Sequence, residues 1–227
     1  EGFANLHEFQ VGGFLFAAMT GELKTVPGKL ESPEEGYRSR FDRKDEIAQP
    51  GYYSVRLKDY NIKAELTATK RVGFHRYTFP ETDSSYVIFD VGNELGESGD
   101  VKDASVTYNP EDNTIEGWVI TYPKYVQNYQ PEGEVKMYFS GVLDTKPITK
   151  GTFQNEKKYP QETTRQGKGV GIYLGFDTQE KSSVEIKAGF SYTSIQNAKE
   201  NLETEAANLN FDEAKKQAQQ IWTQELN

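Results

Sequence analysis

The stretch AELTATKRVGFHRYTFP, residues 64–80, decides the fold because it holds two strand-like segments around one short turn. Apolar and polar side chains alternate on both sides of residues 70–71, a pattern typical of half-buried strands rich in β-branched and aromatic residues. A two-residue turn at 70–71 pairs Thr69 with Val72. The stretch therefore predicts an antiparallel hairpin.

Three polar side chains, Glu65, His75 and Arg76, interrupt the apolar pattern of this hairpin. The same register sets Glu65 directly opposite Arg76, where unlike charges contribute about 0.2 to 1 kcal/mol. We interpret Glu65, His75 and Arg76 as part of the framework, with a cross-strand ion pair between Glu65 and Arg76 as its main contact. The alternative hypothesis is that His75 or Arg76 reaches past the sheet towards a ligand.

Strand patterns recur along most of the chain, separated by dense Gly, Pro and Asn turn signals. Parallel neighbours would need crossover connections of roughly a dozen residues or more, and helical patterns are lacking between these segments. The pattern predicts a mainly β fold, an antiparallel sandwich of two large sheets. The predicted strands cover residues 11–18, 52–57, 62–69, 72–79, 86–91, 104–108, 114–122, 135–143, 170–176 and 184–192.

Two segments depart from the strand pattern. Residues 146–169 are rich in Gln, Lys, Thr and Gly and predict a long surface loop or an irregular edge. After residue 192 the apolar spacing becomes helical, with a break at residues 208–210. We therefore predict two helices at the end of the chain, and their apolar stripe needs either a sheet or a further domain to lie on. The candidate N-caps are Thr193 or Ser194 and Asn210 or Asp212.

Composition narrows the function classes. The 227 residues include 26 basic and 35 acidic side chains, and the net charge of −9 opposes binding to nucleic acid and to anionic lipid. Cysteine is absent, which excludes disulfides, thiolate nucleophiles and cysteine-based zinc sites. No apolar run approaches the roughly 18 to 20 residues that a membrane span needs.

Motifs for catalysis are scarce. His7 lies just before a predicted strand, where loops often present ligand groups, although a surface histidine explains it equally well. The sequence has no second histidine at ligand spacing and no calcium-loop pattern, so no metal site is expected here. A GxSxG elbow is absent. Paired carboxylates for glycoside hydrolysis cannot be chosen by spacing, because they come from distant parts of a chain.

A family resemblance appears in residues 37–80, which contain SRF, then PGYYSV, then ELTAT and finally HRYTFP. This order resembles the N-terminal domain of glycoside hydrolase family 92, the calcium-dependent α-mannosidases. The segments GVGIYLGFDT and VEIKAGFSYTSIQNAKENLETE resemble the last strands of that domain and the helical connector that follows. The resemblance thus covers most of the chain.

The resemblance implies both a fold and an activity. The fold is a galactose mutarotase-like supersandwich over residues 1–192, followed by a helical connector, residues 193–227, to a catalytic (α/α)6 domain that we expect beyond this chain. The activity is exo-acting α-mannosidase action, with inversion, on mannose-containing glycans. The acid, the base and the calcium ligands belong to the helical domain, so we expect this chain to be inactive alone. A secreted, periplasmic or cell-surface location is also implied.

The resemblance is weakest near the start, where the family motif GFSHxHLSGxGxGD contributes loops to the sugar site. His7 falls on the second histidine of that motif and is carried over as a substrate-binding candidate. Departures in this motif, and after SRF, bear on linkage preference and on activity. They are Asn5, Glu8, Leu15 and Arg43.

Two other functions fit the residues. One is a self-sufficient carbohydrate-binding module, in which Trp118 and residues 122–129 form a stacking platform for sugar rings. The other is a structural domain that supports a neighbour through the apolar stripe of the C-terminal helices. Trp118→Ala in a glycan-binding assay separates the first from the second.

Overall fold

The computed structural model describes residues 13–29, 31–94, 98–179 and 181–226. Aromatic and β-branched residues, which favour strands, recur in most of the strands, and Ala, Glu, Gln and Lys make up most of the two C-terminal helices. The strands are β1 Leu15–Thr20, β2 Glu46–Gln49, β3 Tyr52–Leu57, β4 Ile62–Ala68, β5 Val72–Thr78, β6 Ser85–Asp90, β7 Val101–Asn109, β8 Thr114–Thr121, β9 Val135–Leu143, β10 Thr149–Gln154, β11 Lys157–Pro160, β12 Thr164–Gln166, β13 Val170–Phe176 and β14 Ser183–Ser191. The helices are α1 Lys124–Tyr129, α2 Ile195–Ala206 and α3 Phe211–Leu226.

The strands form two sheets that pack face to face. The smaller has the order β1-β6-β13-β10-β11, the larger has the order β12-β7-β8-β9-β14-β5-β4-β3-β2, and the neighbours recorded in both run antiparallel. The ring of Phe16 in the smaller sheet lies 5.0 Å from His75 and 5.8 Å from Phe139 in the larger. The predicted antiparallel sandwich is confirmed.

The hairpin of residues 64–80 forms as predicted. The amide of Thr69 donates to the carbonyl of Val72 at 2.9 Å, and Glu65 is the cross-strand neighbour of Arg76. Because side chains alternate along a strand, Ala64 and its neighbours on one face enter the core between the sheets. Glu65 and Arg76 occupy the opposite, outer face of the larger sheet.

The predicted ion pair within this hairpin is wrong, although its register is right. Arg76 binds Glu185 of β14 at 2.7 Å and Asp212 of α3 at 2.9 Å. Glu65 instead accepts from the hydroxyl of Tyr52 at 2.6 Å and from Lys63 at 3.0 Å. Tertiary structure overrides the local pair, because β14 and α3 bring two carboxylates to the guanidinium.

The C-terminal helices lie on the outer face of the larger sheet. Phe211 and Ala214 of α3 and Ala206 of α2 form a separate apolar cluster with Val72 and Phe74 of β5. The predicted caps are present as well. The side chain of Ser194 accepts from the amide of Asn197, and Asn210 and Glu213 accept from each other's amides.

The prediction of a long surface loop at residues 146–169 is wrong, because three strands lie there, whereas the alternative of an irregular edge fits β11 and β12, which are edge strands of the two sheets. β10 sits inside the smaller sheet between β13 and β11, and both Thr152 and Phe153 of β10 are fully buried. A strand that is covered on both faces needs no polar–apolar alternation, and β11 and β12 are exposed and polar. The strand β2 and the short helix α1 were also not predicted.

Candidate functional site

A cavity of about 1010 Å³ opens at one end of the sandwich. At this end β1, β3, β5 and β9 begin and β2, β4 and β14 end, so strand ends surround the opening. Small-molecule sites typically occupy roughly 300 to 1,000 Å³, so the cavity can hold a ligand of one or more sugar rings. The residues that line it include Phe14, Thr69, His75, Phe190, Tyr192 and Trp222.

Aromatic side chains form much of the cavity wall. The rings of Phe14 and Phe190 lie 6.0 Å apart and are inclined by only 19°. Tyr192, just beyond β14, is 59% exposed, and Trp222, near the end of α3, is 49% exposed. Flat aromatic surfaces with a polar edge suit ligands that have both apolar and hydroxyl-bearing faces.

The β4–β5 turn forms a fixed rim of the cavity because Glu205 of α2 holds it. This carboxylate accepts from the hydroxyl of Thr69 at 2.6 Å, and from the amide of Arg71 at 2.9 Å and its Nε at 2.5 Å. Burial opposes the charged form of Glu205, but these hydrogen bonds bring the pKa of its carboxyl below the usual value. The helices thus position the rim.

His75 lies at the inner end of the cavity. Its ring is buried between the sheets, and its Nδ1 is 3.2 Å from the hydroxyl of Tyr77. Burial lowers the pKa of His75 to about 4, so the imidazole is neutral at physiological pH. A neutral, buried imidazole is consistent with the framework role that the sequence suggested.

A buried carboxyl at the same end of the sandwich anchors the start of the loop that follows β6. Asp90, the last residue of β6, accepts from the hydroxyl of Tyr37 at 2.7 Å and from the side-chain amide of Asn93 at 2.6 Å. Burial raises the pKa of Asp90 to about 6. The start of β1 lies beside it, since Leu15 is the cross-strand neighbour of Asp90.

The substrate-binding candidate His7 lies outside the residues that the structure describes, as do Asn5 and Glu8. Of the other two departures from the family motif, Leu15 is only 2% exposed and faces the interior of the protein. Arg43 is exposed, in a short 3-10 turn before β2. The prediction about His7 therefore stays a prediction.

The aromatic residues of the predicted stacking platform are divided between two places. Trp118 is half-buried in the middle of β8, opposite Tyr138 of β9. Tyr125 and Tyr129 lie beyond the end of that strand, on α1, and are 41% and 76% exposed. A stacking platform would therefore use either Trp118 or the two tyrosines of α1.

Sequence reasoning did not find Tyr192, Trp222 or Asn201 as site residues. They reach the cavity from three different segments, and no local motif links them. The helical spacing of Trp222 was a usable signal, because it marked this residue as part of an apolar stripe. What that stripe faces depends on how the two C-terminal helices fold back on the larger sheet.

Metal binding by the described part of the chain is not supported. Among residues 13–29, 31–94, 98–179 and 181–226, no three His, Asp or Glu side chains converge to hold an ion. Calcium prefers six to eight oxygen ligands, so these residues do not fit the ion that the family resemblance implies. The same ranges contain no helix of the length and apolarity required for a membrane span.

Comparison with known families identifies the sandwich domain. The model of the glycosyl hydrolase family 92 N-terminal domain matches residues 1–191. The chain belongs to glycoside hydrolase family 92. Its sandwich is thus the N-terminal domain of that family, and the motifs at residues 37–80 are family features.

Solved structures agree with this membership. The family 92 α-mannosidase BT3965 from Bacteroides thetaiotaomicron, solved with mannoimidazole, is 30% identical over 94% of this chain, with a TM-score of 0.83. The family 92 inverting mannosidase BT2199 from the same species, at 23% identity over 93% of the chain and a TM-score of 0.76, shows the same fold.

The family 92 domain described here corresponds to only part of these enzymes. It spans 28% of the BT3965 chain and 26% of the BT2199 chain. No curated protein matches the sequence.

Proposed function

We propose that this chain is the substrate-contacting N-terminal domain of an exo-acting, inverting α-mannosidase and does not hydrolyse glycans alone. The observation that carries the proposal is the cavity at the end of the sandwich, with Tyr192 and Trp222 exposed at its mouth. Aromatic faces and nearby hydroxyl and amide groups match the two kinds of surface on a mannose ring. Membership in family 92 and the similarity to solved α-mannosidases support this substrate class.

Hydrolysis with inversion needs a general acid and a general base, separated far enough to admit a water molecule. The described cavity lining consists of aromatic, aliphatic, hydroxyl, amide and cationic side chains together with His75. The exposed aromatic, hydroxyl and amide groups among them are suited to bind and orient a sugar ring, whereas the buried His75 belongs to the framework. We place the acid, the base and any calcium ion in the part of the α-mannosidases that extends beyond this domain.

The domain boundaries and the location belong to the same proposal. Residues 1–192 form the sandwich domain, and residues 193–227 connect it to an (α/α)6 domain. Degradation of mannose-containing glycans further favours a secreted, periplasmic or cell-surface protein. Cell fractionation with an antibody against the sandwich tests the location, and recovery of the protein in the cytoplasm alone would contradict it.

Calorimetry of the 227-residue chain with methyl α-mannoside tests the proposal. We expect binding without release of mannose. Trp222→Ala should weaken this binding roughly tenfold, because it removes an aromatic face from the cavity mouth. The matched control is Ile221→Ala, since Ile221 is its neighbour on α3, is 60% exposed and does not line the cavity.

Three outcomes would overturn this assignment. The first is steady release of mannose by the chain alone, and the second is a lack of α-mannoside binding. The third is binding that Trp118→Ala abolishes and Trp222→Ala leaves intact, which would favour a self-sufficient binding module on the outer sheet face.

A further inference from the structure

The short helix α1 presents two tyrosines at the cavity end of the sandwich. It connects β8 to β9, and its flanking residues Thr121 and Val135 are cross-strand neighbours. Met137, two residues further along β9, lines the cavity. Helix α1 therefore projects from the same end of the larger sheet as the cavity mouth.

Several contacts fix α1 to the loops around it. The side chain of Gln127 donates to the carbonyl of Gly133 at 2.8 Å and accepts from the amide of Glu132 at 2.9 Å. Lys124 forms an ion pair with Glu94 at 2.8 Å, which ties the helix to the loop that Asp90 anchors. A surface that is held in place loses little entropy when a ligand binds.

The two tyrosine rings form an exposed corner on this fixed helix. Their centroids are 5.1 Å apart and their planes are inclined by 53°. Tyr129 is 76% exposed, an unusual exposure for a side chain of this size. Asn128 is exposed between them in sequence, and residues three and four apart share a helix face, so Tyr125, Asn128 and Tyr129 lie together.

We propose that Tyr125, Asn128 and Tyr129 form a second sugar subsite, which binds an outer unit of a mannose-containing glycan. This inference rests on the proposed function of the cavity. The apolar face of a pyranose ring packs on a tyrosine ring, while its hydroxyls bond to the Asn128 amide and to the phenolic oxygens.

A carbohydrate fits this surface better than a protein partner. A stable protein interface needs roughly 800 Å² on each side and a core depleted of charge. The tyrosine corner is a single six-residue helix with the Lys124–Glu94 ion pair beside it and exposed polar residues around it. Small aromatic surfaces with polar edges are sufficient for one or two sugar rings.

Calorimetry with α-linked mannose, mannobiose and mannotriose tests the subsite in the 227-residue chain. We expect affinity to rise with length. In the Tyr125→Ala/Tyr129→Ala double variant this gain should fall by roughly fivefold, while the affinity for monosaccharide stays unchanged. Phe41→Ala is the matched control, because it removes an aromatic ring that is 50% exposed and is not part of α1 or of the cavity lining.

The outcomes separate the two proposals. An unchanged length dependence in the double variant, with monosaccharide binding retained, overturns the subsite and leaves the proposed function standing. A lack of α-mannoside binding by the unmodified chain overturns both proposals. A reduced length dependence that Asn128→Ala reproduces in part, with circular dichroism unchanged, supports the subsite.

Discussion

The two buried ionisable groups at the cavity end, His75 and Asp90, should have opposite effects on stability between about pH 4 and pH 6. Burial lowers the pKa of His75 from 6.5 to about 4 and raises that of Asp90 from 3.8 to about 6. In the folded protein both groups therefore resist charging. The variants His75→Phe and Asp90→Asn each remove one of these two groups.

The sign of each effect follows from which state binds more protons. The unfolded chain protonates His75 below pH 6.5, so the stability that this group contributes is present above that pH and is lost as the pH falls towards 4. The unfolded chain ionises Asp90 above pH 3.8, so its contribution is present below that pH and is lost as the pH rises towards 6.

The two groups change the free energy of unfolding by similar amounts. One unit of pKa difference corresponds to about 1.4 kcal/mol, so each group shifts the free energy of unfolding by about 3 kcal/mol across its window. Within the shared window the slopes are about 1.4 kcal/mol per pH unit and have opposite signs. The two contributions nearly cancel in the unmodified chain, and removing either group reveals the other.

Urea unfolding followed by tryptophan fluorescence at several pH values between 4.5 and 6 provides the measurement. Relative to the unmodified chain, His75→Phe should become progressively less stable as the pH rises, and Asp90→Asn progressively more stable. The double variant should follow the unmodified chain with a constant offset. Differences that do not depend on pH, or that slope in the same direction, would refute this account of the two buried groups.

Two further predictions concern how the helices dock. Gly189→Ala should cost about 1 to 3 kcal/mol in urea unfolding, since its Cβ would lie 2.3 Å from the carbonyl oxygen of Ala198 on α2. Gly73→Ala, where the nearest atom is 3.5 Å away, is the control, and equal losses would contradict this reading. Arg76→Met should cost about 2 kcal/mol, because Glu185 loses its charged partner and Phe211 loses a guanidinium 4.3 Å above its ring. In a thermal melt the exposed control Arg43→Met should leave the midpoint unchanged, and a similar midpoint for both variants would count against the docking role.

The pattern of the sequence was sufficient for strands with clear alternation and distinct turns. The bounds of β3, β9 and β13 agree with the prediction, and the turn at residues 70–71 fixed the register of Glu65 against Arg76. The strand β10 was missed because it is covered on both faces, and burial of that kind leaves no period-two signal. Local patterns report which face of an element is exposed to water, and in the middle of β10 neither face is exposed.

By itself, the sequence determined the antiparallel sandwich, the two C-terminal helices with their caps and, through the motifs at residues 37–80, the family. Only the tertiary structure decided the partners of Arg76, the anchoring of the rim by Glu205 and the meeting of Tyr192 with Trp222 at one cavity. The physical reason is distance along the chain. Hydrogen bonds in turns and alternation in strands act between near neighbours, whereas charges and cavity walls are assembled from residues more than a hundred positions apart.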